Sequence, residues 1–167
     1  WSDYFRDILR ELNTDAKCKS IEVIGHPTLR NNIYSLRSNT YNILVIGESN
    51  ICYDSLKDFL TKLDSLDKYK IYFKDKPGSK NIHYISTNFS KWKLIKTNSL
   101  ESSFLENNIS LVIGTHSTVL IESWLFGIPS LMIKSNYDYS WHLVDENILP
   151  GCSDAYKLDI CIDKCLN

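Results

Sequence analysis

The stretch SLVIGTHSTVLIESWLFGIPSLMI, residues 110–133, constrains the possible fold of this chain more than any other segment. An apolar run ends abruptly at Gly-Thr-His-Ser-Thr, an apolar helical pattern follows, and Gly-Ile-Pro opens a second apolar run. Short continuous apolar runs are typical of strands buried on both faces, and Gly127 is placed to end the intervening helix. The stretch therefore predicts a strand, a small polar loop, a helix and a second strand.

The same alternation occurs before this stretch. The run NILVIGES, residues 42–49, predicts another buried strand, and an apolar stripe follows it at helical spacing: Leu56, Phe59, Leu60, Leu63 and Leu66. YKIYFK predicts the next strand, a further strand is placed near residues 92–96, and Ser99 is predicted to cap a short helix. No element is assigned to residues 81–91, and the tail is predicted to form helical pieces around Pro150. Strands that alternate with helices, without hairpin turns between them, predict an α/β fold with a doubly wound parallel sheet.

Composition excludes several classes of protein. The chain has 167 residues and 43% hydrophobic residues, enough for a sizeable core, and its 19 basic and 20 acidic residues argue against nucleic-acid binding through bulk charge. No apolar run reaches membrane-spanning length, and we expect a cytoplasmic protein. The five cysteines form no CxxC pair, which favours free thiols in a reducing compartment, and no metal site is predicted.

Two predicted strands end in small polar segments, at residues 45–49 and 112–118. Gly114 would allow a sharp turn and the close approach of a ligand, and Thr115, Ser117 and Thr118 supply hydroxyl groups next to a helix N-terminus. This combination suits a phosphate or diphosphate, although simple N-capping would recruit the same residue types.

Two further side chains have alternative interpretations. Glu122, in the first turns of the predicted helix, could accept hydrogen bonds from ribose hydroxyls, or it could be an exposed glutamate that favours the helix dipole. His116 could donate to phosphate oxygens or simply fill a polar loop.

The stretch at residues 110–133 resembles the donor-binding half of glycosyltransferases of the GT-B fold. The nearest group makes bacterial surface and capsular polysaccharides and includes the CDP-glycerol glycerophosphotransferases; UDP-GlcNAc 2-epimerases share the fold and a similar loop. WSDYFRDIL followed by IEVIGHPTLR resembles the end of the N-terminal domain of these enzymes. The resemblance therefore implies that residues 1–38 end that domain and form a hinge, and that residues 39–167 form the nucleotide-sugar-binding, Rossmann-like domain.

The resemblance also implies roles for individual residues. Gly47, Glu48 and Ser49 would border the donor diphosphate, residues 115–118 would bind phosphate, and Glu122 would bind ribose. Lys74 and Lys76 could neutralise phosphate charge, or they could be solvated lysines beside a strand. Lys76 occupies the position at which the polysaccharide transferases often carry the histidine of a Lys-x-His-Pro loop.

The remaining implied roles concern the base of the nucleotide and the hinge between domains. Residues 96–99 would lie near the nucleotide base, and His26 in the hinge is expected to be structural.

These roles imply transfer of a sugar or polyol phosphate from a CMP-, CDP- or UDP-type donor, without a metal or further cofactor. The general base would come from an N-terminal acceptor domain, so no catalytic residue is assigned and the chain alone is expected to be inactive. The full-length protein could associate peripherally with a membrane. Two alternatives stay open: a UDP-GlcNAc 2-epimerase-like enzyme, for which few acid–base groups stand out, and a non-catalytic nucleotide-binding or interaction module.

Overall fold

The computed structural model describes residues 41–48, 53–136 and 140–167. Within these ranges, six parallel strands form one sheet in the order β3-β2-β1-β4-β5-β6. The strands are β1 (Tyr41–Ile46), β2 (Tyr69–Lys74), β3 (Lys93–Leu94), β4 (Ile109–Gly114), β5 (Ser130–Ile133) and β6 (Gly151–Cys152). The predicted Rossmann-like α/β fold is confirmed.

Helices connect the strands. They are α1 (Lys57–Asp64), α2 (Asn81–Asn88), α3 (Leu100–Glu106), α4 (Val119–Glu122), α5 (His142–Asp145) and α6 (Leu158–Leu166), with 3-10 turns at Tyr53–Leu56, Ser123–Phe126 and Ala155–Lys157. Two predicted helix boundaries are confirmed. The Ser99 hydroxyl accepts a hydrogen bond from the Ser102 N–H at 3.1 Å, and Gly127 ends its segment in the left-handed conformation, with φ of 69°.

The sheet is covered on both faces, because side chains alternate along each strand. Ile43 and Val45 of β1 belong to a core cluster that also contains residues of α1 and α6, such as Leu60 and Ile162. On the other face, α3 contacts β4, and α4 contacts both β4 and β5. These two layers of helices make the sheet doubly wound and bury every residue of β1 after Tyr41.

The strand order reverses between β1 and β4. From β1 the chain continues outward to β2 and β3, whereas the second half starts beside β1 and continues outward to β5 and β6. In register, Ile43 pairs with Leu111 and Val45 with Ile113. In open α/β sheets, ligands bind beyond the carboxyl ends of the strands at such a reversal, so the loops after β1 and β4 are where a site is expected.

The structure contains two elements that the sequence pattern did not predict. Helix α2 lies in the unassigned stretch, and Ile85 is its only buried residue. Strand β6 lies in the tail that was predicted to be helical; there Gly151 pairs with Met132, and the Pro150 carbonyl accepts a hydrogen bond from the Met132 N–H at 2.9 Å.

Two further predictions concern residues outside the described ranges and membrane-spanning segments. The predicted hinge at residues 1–38, including His26, and the predicted site residue Ser49 lie outside the described residues. Among the helices that are described, none has both the length and the apolar character needed to cross a membrane.

Candidate functional site

The carboxyl ends of β1 and β2 are joined closely at Gly47. The Gly47 N–H donates to the Lys74 carbonyl at 2.8 Å. A Cβ atom at position 47 would lie 2.5 Å from Asp75 Oδ1 and 3.2 Å from Asp75 Cα, so this approach requires glycine. The backbone that leads into the site is therefore fixed by packing.

Glu48 follows Gly47 and carries a buried carboxylate, only 2% exposed. Its backbone is held on both sides: the Glu48 N–H donates to the Tyr53 hydroxyl at 3.3 Å, and its carbonyl accepts from Asn81 Nδ2 at 2.9 Å. Carboxylate oxygen Oε2 lies 3.6 Å from His116 Nε2 and 3.7 Å from Lys76 Nζ. Among the described residues, Oε1 has no hydrogen-bond partner.

Lys74 and Asp75 form the β2 side of the site. Lys74 Nζ donates to the Thr97 carbonyl, and burial lowers the pKa of this lysine from its ordinary value of 10.5. The Asp75 carboxylate accepts from the backbone N–H groups of Asn81 and Ile82, at 3.0 Å and 3.2 Å, and so stabilises the start of α2. The sequence did not identify this role, because Asp75 precedes the helix by six residues.

The β4 side of the site is the loop between β4 and α4. Thr115 Oγ1 lies 3.1 Å from His116 Nδ1, and the Ser140 hydroxyl donates to the Thr115 carbonyl at 3.5 Å. Thr118 stands at the N-cap position of α4 but makes no side-chain capping hydrogen bond. Its hydroxyl donates instead to Glu122 Oε1 at 2.8 Å. Side-chain capping, the alternative interpretation of this loop, is instead represented by the Ser117 hydroxyl, which accepts a hydrogen bond from the Val119 N–H at 3.4 Å.

Gly114 is the residue at which a sharp turn and the close approach of a ligand were predicted. It is the last residue of β4 and does not have a positive φ, so no sharp left-handed turn occurs there. A Cβ atom at this position would meet Leu120 Cδ2 at 3.4 Å, an ordinary packing distance. Gly114 thus packs against Leu120 of α4, and the predicted sharp turn and ligand approach at this glycine stay predictions.

One cavity of about 240 Å³ gathers most of the predicted binding residues. It is lined by predicted site residues from three loops: Gly47, Glu48, Lys74, Lys76, His116, Ser117 and Thr118. Gly114, Thr115 and Glu122 are not part of its lining. The sequence missed Asp75, which also lines this cavity.

A larger cavity, of about 640 Å³, lies at the opposite edge of the sheet. Its lining includes Ile109, at the start of β4, and Ile128 and Pro129, just before β5. Among the described residues that line it, none is a lysine, an arginine or an acidic residue. Because ligands of open α/β sheets sit at the carboxyl edge, the smaller cavity, which charged side chains line, is the candidate site.

Two of the described thiols, Cys152 and Cys165, are poor nucleophiles. Burial raises the pKa of Cys152 to about 12 and that of Cys165 to about 11, which keeps both in the unreactive thiol form at neutral pH. Cys152, Cys161 and Cys165 are free, as predicted. Across the described ranges, histidine, cysteine and acidic side chains form no group of three that could hold a metal ion.

Comparison with known proteins supports the fold and leaves the family open. No protein-family model and no curated protein matches this chain. Among solved structures, the UDP-GlcNAc 2-epimerase from Methanocaldococcus jannaschii is similar, with a TM-score of 0.55 and 18% sequence identity over 78% of this chain. The match covers 40% of the epimerase chain. At this identity, the likeness shows a shared α/β fold.

Proposed function

We propose that this domain binds the nucleoside diphosphate part of a nucleotide-activated sugar or polyol, in the cavity between the ends of β1 and β4. The observation that carries this proposal is the position of that cavity. It lies where the strand order reverses, and ammonium, imidazole and hydroxyl groups from separate segments meet there: Lys74, Lys76, His116, Ser117 and Thr118.

The chemistry of these groups suits a diphosphate. Ammonium and hydroxyl donors form charge-assisted hydrogen bonds with phosphate oxygens, which are stronger than bonds between neutral groups. Glu122, one turn into α4, is proposed to accept hydrogen bonds from ribose hydroxyls beside its contact with Thr118. The diphosphate would then lie in the cavity, and the nucleoside would lie towards α4.

The reaction we propose for the full-length protein is transfer to a hydroxyl acceptor. The acceptor oxygen forms a bond to the sugar carbon, or to the phosphorus of a polyol phosphate, while the bond from that atom to the leaving nucleotide breaks. The acceptor proton passes to a general base that we place outside this domain. Lys74 and the hydroxyls of Ser117 and Thr118 would stabilise the negative charge that grows on the leaving phosphate.

A second candidate is epimerisation of the sugar. Two observations favour it: the fold is similar to that of a UDP-GlcNAc 2-epimerase, and the structure brings His116 Nε2 within 3.6 Å of the buried Glu48 carboxylate. Paired acid and base groups of this kind suit proton transfer at a sugar carbon.

Incubating the full-length protein with UDP-GlcNAc, with and without a hydroxyl acceptor, separates the two candidate functions. An epimerised sugar formed without acceptor supports epimerisation, whereas acceptor-dependent release of nucleotide supports transfer.

Replacement of Lys74 by methionine tests the binding site itself. Because hydrogen bonds to charged groups contribute about 1.5–3 kcal/mol, we expect Lys74→Met to weaken binding of UDP-GlcNAc or CDP-glycerol by about ten- to a hundredfold. Isothermal titration calorimetry would measure the dissociation constants, and thermal unfolding would verify that the variant folds.

The matched control is Lys91→Met, which removes an exposed lysine paired only across the surface with Asp67. It should bind both compounds like the unmodified chain. Equal affinities of the Lys74→Met variant and the unmodified chain would contradict the proposed site, as would no binding of either compound to the unmodified chain at millimolar concentration.

A further inference from the structure

The buried carboxylate of Glu48 is the feature of the cavity that diphosphate binding leaves unexplained. Its side chain is 2% exposed, and Oε1 has no hydrogen-bond partner among the described residues. Among the described residues, His116 Nε2 and Lys76 Nζ approach Oε2, at 3.6 Å and 3.7 Å, distances that are longer than a hydrogen bond. Buried polar atoms are nearly always paired in native proteins, so a buried acceptor without a donor requires an explanation.

The backbone of Glu48 is fixed beside the cavity. Gly47, which precedes it, is packed against Asp75, and the Glu48 N–H and carbonyl are bonded to Tyr53 and Asn81. The peptide on each side of the Glu48 Cα is thus anchored. The side chain lines the cavity, and the free oxygen belongs to a residue whose backbone is fixed. An acceptor held in this way is preorganised for a donor that comes from outside the chain.

The charge of the carboxylate limits what that donor can be. A phosphate oxygen against Oε1 would place two negative charges together in a site screened from water, which is unfavourable. A hydroxyl group donates a proton and carries no charge, so it satisfies the carboxylate at no electrostatic cost. Glu48 therefore suits a hydroxyl-bearing part of a ligand better than the diphosphate.

We infer that Glu48 Oε1 accepts a hydrogen bond from a hydroxyl of the sugar or polyol that the nucleotide carries. This inference rests on the proposed function and assigns the group beyond the diphosphate. Glu122, the proposed ribose acceptor, does not line the cavity, whereas Glu48 does. The phosphates would lie at Lys74, Ser117 and Thr118. Glu48 would then contact the sugar or polyol at one end of the ligand, and Glu122 would contact the ribose at the other end. The site would therefore select the conjugate over the free nucleotide.

Binding of matched ligand pairs to Glu48→Gln tests this assignment. The pairs are UDP with UDP-GlcNAc and CDP with CDP-glycerol, and calorimetry on the full chain gives each dissociation constant. Losing the charge of the acceptor should weaken binding of the conjugate that the chain prefers by about five- to tenfold. Binding of the matching free diphosphate should be unchanged or tighter, because one negative charge near the phosphates is gone. Glu106→Gln, an exposed glutamate at the opposite edge of the sheet, should change neither.

The other outcomes overturn the inference in distinguishable ways. If Glu48→Gln bound the conjugate and the free diphosphate more weakly by the same factor, Glu48 would contact ribose or only support His116. If it bound both more tightly by the same factor, Glu48 would merely repel phosphate. In both cases the inference fails and nucleotide binding stands. If the unmodified chain binds none of the four compounds, the proposed function fails as well.

Discussion

Phe104→Ala is expected to lower the free energy of unfolding by about 3–5 kcal/mol, the usual cost of truncating a fully buried phenylalanine. Phe104 lies in α3 and has no exposed surface. Its ring packs edge-to-face against Phe126, with ring centroids 5.3 Å apart, and Phe126 belongs to the 3-10 turn that continues α4. The cavity left by the missing ring would therefore loosen the segment that follows the proposed phosphate-binding loop.

Urea unfolding measures this effect, and Tyr156→Ala is the matched control. Tyr156 is also aromatic, but it is 89% exposed, so its truncation should change the free energy of unfolding by less than about 0.5 kcal/mol. If Phe104→Ala were as stable as the Tyr156→Ala control, the packing of Phe104 against the 3-10 turn at Ser123–Phe126 would be contradicted.

Gly47→Ala is expected to cost about 1–3 kcal/mol, the usual range for forcing an extra carbon into a packed site. The new Cβ would lie 2.7 Å from Phe73 Cζ and 2.5 Å from Asp75 Oδ1, distances at which neighbouring atoms must move. Moving Asp75 would also disturb its hydrogen bonds to the start of α2. The substitution should therefore weaken both the fold and the binding of nucleotide.

The matched control for this prediction is Gly114→Ala, at the end of the neighbouring strand. There a Cβ atom would make an ordinary contact of 3.4 Å with Leu120, so the free energy of unfolding should change much less than in Gly47→Ala. Urea unfolding of both variants gives the comparison. Equal stability of the two would show that β1 and β2 do not approach each other as closely as the structure has them.

The elements that could be predicted from sequence are those that carry a clear apolar pattern. Strands β1, β4 and β5 are continuous apolar runs, and α1 has an apolar stripe that faces the core. Helix α2 could not be recognised in this way, because a helix that buries one side chain, Ile85, shows no periodicity. Strand β6 has two residues, and its pairing with Met132 depends on tertiary contacts that no local pattern records.

The candidate site was predictable in location and less so in detail. The end of β1 and the loop after β4 were identified because small polar residues follow buried strands, and these two loops do line one cavity. The sequence could not show that the Glu48 carboxylate is buried, because the residues that approach it, Lys76 and His116, come from other segments. The ribose-binding role of Glu122 stays a prediction.

The most direct test of nucleotide binding at the β1–β4 edge is an NMR titration of the ¹⁵N-labelled chain with CMP, CDP, UDP and GDP. We predict that one nucleotide is preferred and that the largest amide shifts occur at the cavity, in residues 47–48, 74–76 and 116–118. Residues around the larger cavity at the opposite edge, such as Ile109 and Ile128, should shift little. If no shifts appear at residues 47–48, 74–76 and 116–118 at millimolar nucleotide, or if the largest shifts lie at the opposite edge, nucleotide binding between β1 and β4 would be contradicted.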